Sequence, residues 1–336
     1  MRALVTGGFG FIGSYLSNEL SKEGWDVRIL DIQNQTKGNI EFNRNKLDYV
    51  VGDIRDFPTT AKAMKNIDLV IHLAAKHRFF GVSKNEFYSV NVDGTRIILE
   101  AMSQKGIKNI IFYSSVAVYG DQTAPTDENT IPQPNTLYGA TKLEAERAIC
   151  KWTSKSANRN ALIIRPTVVF GPKNKGNVYR LIRQIDKRLY IPIGKGENIK
   201  SIAYVENLVD ATLFLMNKGC KGLEAYNYAD EPHMSFKEIL DLIYMFLGRT
   251  SPKLSLPVKP ILAGLKPFDF LAKITGINFP ITMAVIKMNK ATHHTANKIK
   301  KKGFQQKLSL EEGLGRMIQW YKNESWYRKT GHREKR

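Results

Sequence analysis

Cysteine is nearly absent. Only Cys150 and Cys220 occur in 336 residues, in no metal-ligand or redox spacing, which excludes a disulfide framework or a cysteine-based zinc site and points to a reducing cytosol. Both thiols read as packing residues. Also missing is any uninterrupted apolar run near the ~20 residues that a membrane-crossing helix needs, so the chain is not expected to span a bilayer. Met1 and Arg2 lead straight into Ala3-Leu4-Val5, leaving no room for a charged leader, an apolar stretch and a cleavage site, and secretion is not expected. His77, His293 and His294 show no ligand spacing with carboxylates, so no metal site is expected. Acidic residues are scarce: 31 Asp and Glu against 51 Lys and Arg leave a net charge of +20. From Lys287 to Arg336 there are 14 Lys and Arg against 4 Glu, which is half of that surplus. Such an excess suits an anionic partner or a solvated basic surface. No helix-turn-helix, RNA-binding aromatic pair or finger spacing accompanies it, so no nucleic acid partner is expected.

What is present is a 43% hydrophobic chain, long enough for one large or two intimately joined domains. Short apolar runs alternate with helical patterns: Ala3-Leu4-Val5 and a helix to Glu23, then Val27 to Leu30, Leu69 to Leu73, Ile110 to Tyr113 and Ala161 to Ile164. Alternation of this kind implies an α/β fold with a doubly wound parallel sheet, and places ligands at the carboxyl ends of its strands. Beyond Pro172 the pattern loosens. We expect a first domain over 1–171, rejoined by about 203–217, and a smaller, partly interleaved α/β substrate lobe over 172–336.

The first strand ends in Thr6-Gly7-Gly8-Phe9-Gly10-Phe11-Ile12-Gly13. Glycines at 7, 10 and 13 permit a tight turn, close approach of a pyrophosphate and close helix packing, and the helix N-terminus adds amide donors. Asp31 follows the second strand, where a carboxylate can accept hydrogen bonds from ribose hydroxyls and repel a 2′-phosphate. The expected cofactor is therefore NAD rather than NADP. Tyr138 and Lys142 stand four residues apart at a helix start, on one face, where an ammonium can lower a phenol's pKa and make it a general base. Ser114 and Ser115 close the preceding strand and offer hydroxyls to a substrate oxygen.

Together these elements resemble the extended short-chain dehydrogenase/reductase superfamily over nearly the whole chain: the TGGFGFIG turn, a serine before Val118-Tyr119-Gly120, and YxxxK. The resemblance implies a Rossmann domain, NAD, a homodimer and a diphosphate-linked sugar substrate. It implies Ser115 at the sugar O4, Tyr138 as acid/base and Lys142 as its activator. For the cofactor it adds Asp53 and Ile54 at the adenine, Leu73, Ala74 and Ala75 beside it, Asn91, Ser114, and Pro166, Thr167 and Val168 near the nicotinamide. The 4,6-dehydratases of the superfamily carry an Asp-Glu pair after the hydroxyl residue; Val116-Ala117 stands there instead, which rejects that branch.

A finer resemblance runs through His72 to Arg78, Arg165 to Gly171, Gly176 to Tyr179 and Lys200 to Val205. These stretches are similar to the bacterial surface-polysaccharide 4-epimerases that act on N-acetylglucosamine bound to UDP or to undecaprenyl diphosphate. They imply conversion to N-acetylgalactosamine through a 4-keto sugar, with Arg78, Asn177 and Lys200 holding substrate. Lys200 replaces a more usual arginine and cannot fork onto two oxygens. A 4-ketoreductase with the same triad and a non-catalytic NAD-binding scaffold remain as alternatives. From Val258 to Gly276, Lys259, Lys266 and Lys273 recur among apolar residues. The segment is either an amphipathic surface resting on an anionic membrane or ordinary packing in the second lobe, so the protein is expected in the cytoplasm, free or at the inner membrane's cytoplasmic face.

Overall fold

In a computed structural model, residues 1–34, 48–77, 83–261 and 290–330 are described, with side chains to 324. Two compact units divide the chain. The first comprises Met1–Val169, Ala203–Asp230 and His294–Lys307; the second comprises Phe170–Ile202, Glu231–His293 and Leu308–Arg336.

The first unit is built on seven parallel strands: β1 (Arg2–Thr6), β2 (Asp26–Asp31), β3 (Asp48–Val51), β4 (Leu69–His72), β5 (Asn109–Tyr113), β6 (Asn160–Pro166) and β7 (Leu223–Tyr228), ordered β7-β6-β5-β4-β1-β2-β3. The sequence pattern found five of them. The two it missed are edge strands: Asp48–Val51 alternates intermediate and exposed residues, and Leu223–Tyr228 begins exposed, so neither carries the near-continuous apolar run of a strand covered on both faces. The central β1 buries Ala3, Leu4 and Val5 completely.

Strand order turns at β1, whose neighbours are β2 and β4. The loops leaving β1 and β4 therefore diverge at the carboxyl edge of the sheet and open the crevice where this architecture binds ligands. Cys220 is half-buried, its thiol facing the Ala161 carbonyl. Cys150 corrects the packing expectation, because it lies on the exposed side of the helix Leu137–Thr153.

The second unit pairs Ile199–Lys200 with Met234–Ser235 in an antiparallel ribbon. Ser235 then caps the helix Phe236–Leu247 reciprocally with Glu238, which satisfies two backbone donors at once. The helix Leu310–Thr330 sets Tyr321 on Asp186, a residue that Arg249 also grips. The amphipathic segment expected over Val258 to Gly276 lies outside the described residues beyond Ile261.

Candidate active site

The glycine turn is shaped by what a side chain would hit. Gly7 has φ +70°, and a Cβ there would meet the Ala74 backbone nitrogen at 2.8 Å, while one on Gly13 would sit 2.3 Å from the Gly7 carbonyl oxygen. Gly7 thus lets the β1 and β4 loops touch, and Gly13 lets the helix Phe11–Lys22 pack on the turn. At Gly10 the Gly7 oxygen, 3.0 Å away, is the sole close neighbour of an added Cβ. That helix has no side-chain cap at Gly10, so its first amides, at Phe11 and Ile12, open onto the cradle. The arrangement fits a pyrophosphate, which needs bare backbone and amide donors.

Asp31 ends β2 with its carboxylate accepting the Phe9 amide at 3.0 Å and the Gln33 amide at 2.9 Å. Burial pushes its pKa up against those bonds. The side chain thereby braces the turn and keeps lone pairs for ribose hydroxyls. The Asp53 carboxylate is forked by Arg55, with Nη2 to Oδ2 at 2.6 Å, and this hydrogen bond holds its pKa low. Ile54 packs in the core, where it would collide with any side chain on Gly94.

Beyond β4, Leu73, Ala74 and Ala75 are half-buried. Their loop is anchored by a relay that the sequence reading left out. The Ala74 amide donates to Thr6 Oγ1 at 3.3 Å, and Thr6 Oγ1 lies 2.7 Å from His72 Nδ1. His72 Nε2 lies 3.0 Å from Thr95 Oγ1, which donates to the Asn91 carbonyl at 2.7 Å. Because the Thr95 proton is committed, His72 donates from Nε2 and accepts at Nδ1. Burial pushes its pKa down to about 3 and keeps the ring neutral. Asn91 lies in a single wide π turn, Ser89–Asp93, and its side chain takes both the amide and the carbonyl of Lys76 at 2.7 and 3.0 Å. A histidine ending the apolar run Leu69-Val70-Ile71 was the available signal.

Thr136 caps the helix Leu137–Thr153 by accepting the Gly139 amide at 3.1 Å, which fixes where Tyr138 emerges. Tyr138 is hydrogen-bonded to Ser115 and half-buried. The expected depression of its pKa is corrected here: burial pushes the phenol up to about 12, and the Ser115 bond offsets only part of that. Lys142 is buried, donating to the Tyr113 carbonyl at 2.7 Å with its ammonium 4.6 Å from the Phe112 ring centre. Burial pushes it down to about 7, and Glu146 partly restores it.

One turn on, Glu146 forms a buried two-pronged pair with Arg165 on β6, which also donates to Tyr119 at 2.8 Å. This strut ties the Tyr138 helix to the sheet. The spacing 138, 142, 146 puts all three on one face, and a pattern search carried one turn further finds Glu146. Past β5 and β6, Ser114 Oγ and Thr167 Oγ1 are buried with no hydrogen-bond partner among the described residues. Pro166 is buried and Val168 half-exposed at 46%.

Asn177 and Lys200 lie in the second unit. Asn177 is exposed at the first turn of the helix Asn177–Asp186, and Lys200 donates to the Lys290 carbonyl, its pKa pushed down to about 8 by burial. Arg78 lies outside the described residues. Among the described residues no group of three His, Cys, Asp or Glu could hold a metal ion.

A doubly wound sheet with a glycine cradle at its switch point and a Ser-Tyr-Lys set beyond β5 defines a dinucleotide-dependent enzyme of the dehydrogenase/reductase kind. Residues 3–229 match the NAD dependent epimerase/dehydratase family, to which the chain belongs. It is 36% identical over 319 residues, 94% of each chain, to the N-acetyl-alpha-D-glucosaminyl-diphospho-ditrans,octacis-undecaprenol 4-epimerase of Escherichia coli O157:H7. It is 30% identical to the UDP-N-acetyl-alpha-D-glucosaminuronate decarboxylase of Bacillus cytotoxicus, across 96% of this chain and 98% of that one. In fold it is similar to the UDP-glucuronic acid 4-epimerase of Bacillus cereus solved in complex with NAD, with a TM-score of 0.77 and 24% identity over 96% of this chain and 99% of that one.

Proposed function

We propose that the chain inverts C4 of N-acetylglucosamine carried on undecaprenyl diphosphate, giving N-acetylgalactosamine for a surface polysaccharide. The observation that carries this reading is near full-length identity of 36% to the enzyme named for that substrate, in a chain where Ser115 and Tyr138 meet beside buried Lys142. UDP as the carrier is the second reading, because relatives named for UDP sugars also match the chain and Lys200 suits any diphosphate.

In this reading Gly7, Gly10, Phe11, Ile12 and Gly13 hold the pyrophosphate of NAD and Asp31 the ribose. Asp53 and Ile54 flank the adenine; Leu73 to Ala75, Asn91, Ser114 and Pro166 to Val168 border the nicotinamide half. Bound there, NAD supplies a reversible two-electron acceptor at C4 and a positive charge beside the phenol. Ser115 orients the sugar O4 against Tyr138. At rest the phenol is protonated, as its raised pKa of about 12 requires. The Lys142 charge favours the phenolate, which takes the O4 proton and returns it after the 4-keto sugar has turned in the site. Asn177, Lys200 and Arg78 take the diphosphate. The reading includes a homodimer, as the family resemblance implies, and places the protein at the cytoplasmic face of a membrane, where a polyprenyl carrier is reached; no helix among the described residues is long and apolar enough to cross one.

The test is incubation of the purified chain and NAD with UDP-N-acetylglucosamine and, separately, with undecaprenyl-diphospho-N-acetylglucosamine, scoring N-acetylgalactosamine. Conversion of the lipid-linked sugar alone is expected, and its loss in Tyr138→Phe. Conversion of the UDP sugar alone moves the carrier to UDP, and stoichiometric consumption of reduced cofactor with a keto-sugar acceptor in place of either conversion overturns the epimerase reading.

A further inference from the structure

The second unit carries an exposed apolar patch ringed by cations. The helix Asn177–Asp186 turns outward with Arg180 and Arg183, and Lys187 and Arg188 follow it; all four are exposed. Positions 180 and 183 fall on one helical face, and Lys187 is the residue at which the helix ends. They line, with Gln184 and Leu189, a groove of 280 Å³. The chain then runs into Ile191 and Ile193. A parallel bridge joins Ile193 to Leu256, with the Leu256 amide donating to the Pro192 carbonyl at 2.9 Å and the Gly194 amide to the Leu256 carbonyl at 2.9 Å. That bridge sets two apolar segments side by side. Leu189 is 71% exposed, Ile191 60%, Leu254 87% and Leu256 47%. At about 3.3 Å per extended residue, Ile191 and Leu254 each lie within roughly 7 Å of the bridge. Exposed Lys253 and Lys259 bracket the second segment.

Isolated surface leucines are ordinary, but Ile191, Leu254 and Leu256 exposed within two residues of one bridge, with Leu189 exposed two residues before Ile191, are not. Their rim selects the occupant. A protein partner or a second copy of this chain would have to match six cations, and a second copy brings the same charge. An anionic phospholipid surface matches both features at once, since aliphatic side chains enter the headgroup boundary while Lys and Arg meet phosphate.

We propose that Leu189, Ile191, Leu254 and Leu256, with Arg180, Arg183, Lys187, Arg188, Lys253 and Lys259, form the surface by which the chain rests on an anionic bilayer. The purpose of this surface, delivery of a lipid-carried sugar, rests on the function proposed above; its existence does not. The two aliphatic segments supply the apolar contact, and the helix cations give the attraction its salt dependence.

The experiment is co-sedimentation of the full chain with vesicles of phosphatidylglycerol and phosphatidylethanolamine, against phosphatidylcholine vesicles, at low and high salt. Each variant is also assayed on a detergent-dispersed, short-chain polyprenyl-diphosphate sugar and sized by gel filtration. The wild type is expected to sediment with the anionic vesicles and to be released by salt. A cation variant, Arg180→Gln with Arg183→Gln and Lys187→Gln, is expected to lose on the order of fivefold in vesicle affinity for each charge removed. An independent apolar variant, Leu189→Ser with Leu254→Ser, is expected to lose binding even at low salt. Both should convert the dispersed substrate at the wild-type rate. Undiminished vesicle binding by both variants, or a wild type that binds neither vesicle, overturns the surface while the dispersed-substrate assay still reads the epimerase. A shift of either variant to a smaller oligomer with unchanged vesicle binding assigns the patch to a second copy and also overturns the proposal.

Discussion

Arg165 and Glu146 form a buried fork-to-fork ion pair, Nε to Oε1 at 2.9 Å and Nη2 to Oε2 at 2.6 Å, between the sheet and the helix that carries Tyr138. Removing one member strands a charge in the interior, which costs about 3–5 kcal/mol. Glu146→Ala is expected to lower unfolding free energy by that amount, read from urea midpoints at an unchanged slope. Arg165→Lys keeps the charge but loses the fork, and is expected to lower kcat more than it raises KM, because the helix that aims Tyr138 is left loosely set.

Lys142 gives a stability signature of its own. Burial pushes it down to about 7 from an ordinary value of 10.5. Between those values the unfolded chain holds the additional proton, so stability rises with pH across that window, and below it the full cost of the buried charge applies. Lys142→Met should therefore raise the melting temperature at about pH 6, with the gain shrinking towards pH 10. Paired melts of both proteins cancel the titrations of groups that Lys142 does not influence. The same variant should lose at least about a hundredfold in kcat.

Gly13→Ala places a methyl group 2.3 Å from the Gly7 carbonyl, and nothing there is a flexible side chain that can yield. We expect it to lose NAD binding by titration calorimetry and about 2 kcal/mol or more of stability. Gly106→Ala is the control. Its φ is +71°, but an added Cβ meets nothing within 4 Å among the described residues, so it should cost only about 1 kcal/mol of backbone strain and leave NAD affinity unchanged.

The buried hydroxyls of Ser114 and Thr167 have no partner among the described residues, which costs about 1–3 kcal/mol each. Ser114→Ala and Thr167→Val are expected to raise the melting temperature of the protein without cofactor. Both should weaken NAD binding by about tenfold. Unchanged affinity in both would remove them from the cofactor site.

Sequence by itself determined the parts whose information is local. A glycine turn between a buried strand and a helix, an i, i+4 tyrosine and lysine, and alternating apolar runs each follow from backbone sterics and burial within a few residues. It therefore determined the parallel sheet and the glycine turn, and named Ser115, Tyr138 and Lys142 as candidates for one site. The tertiary structure decided whatever depends on partners far along the chain. The carbonyl that holds Lys142 comes from Tyr113 and the partner of Glu146 from β6; Asp53 is drawn to Arg55, and β3 and β7 are strands because neighbours pair with them. The pKa of Tyr138 went the opposite way from the sequence expectation for the same reason: charge proximity can be guessed from spacing, but desolvation is set by everything packed around the ring.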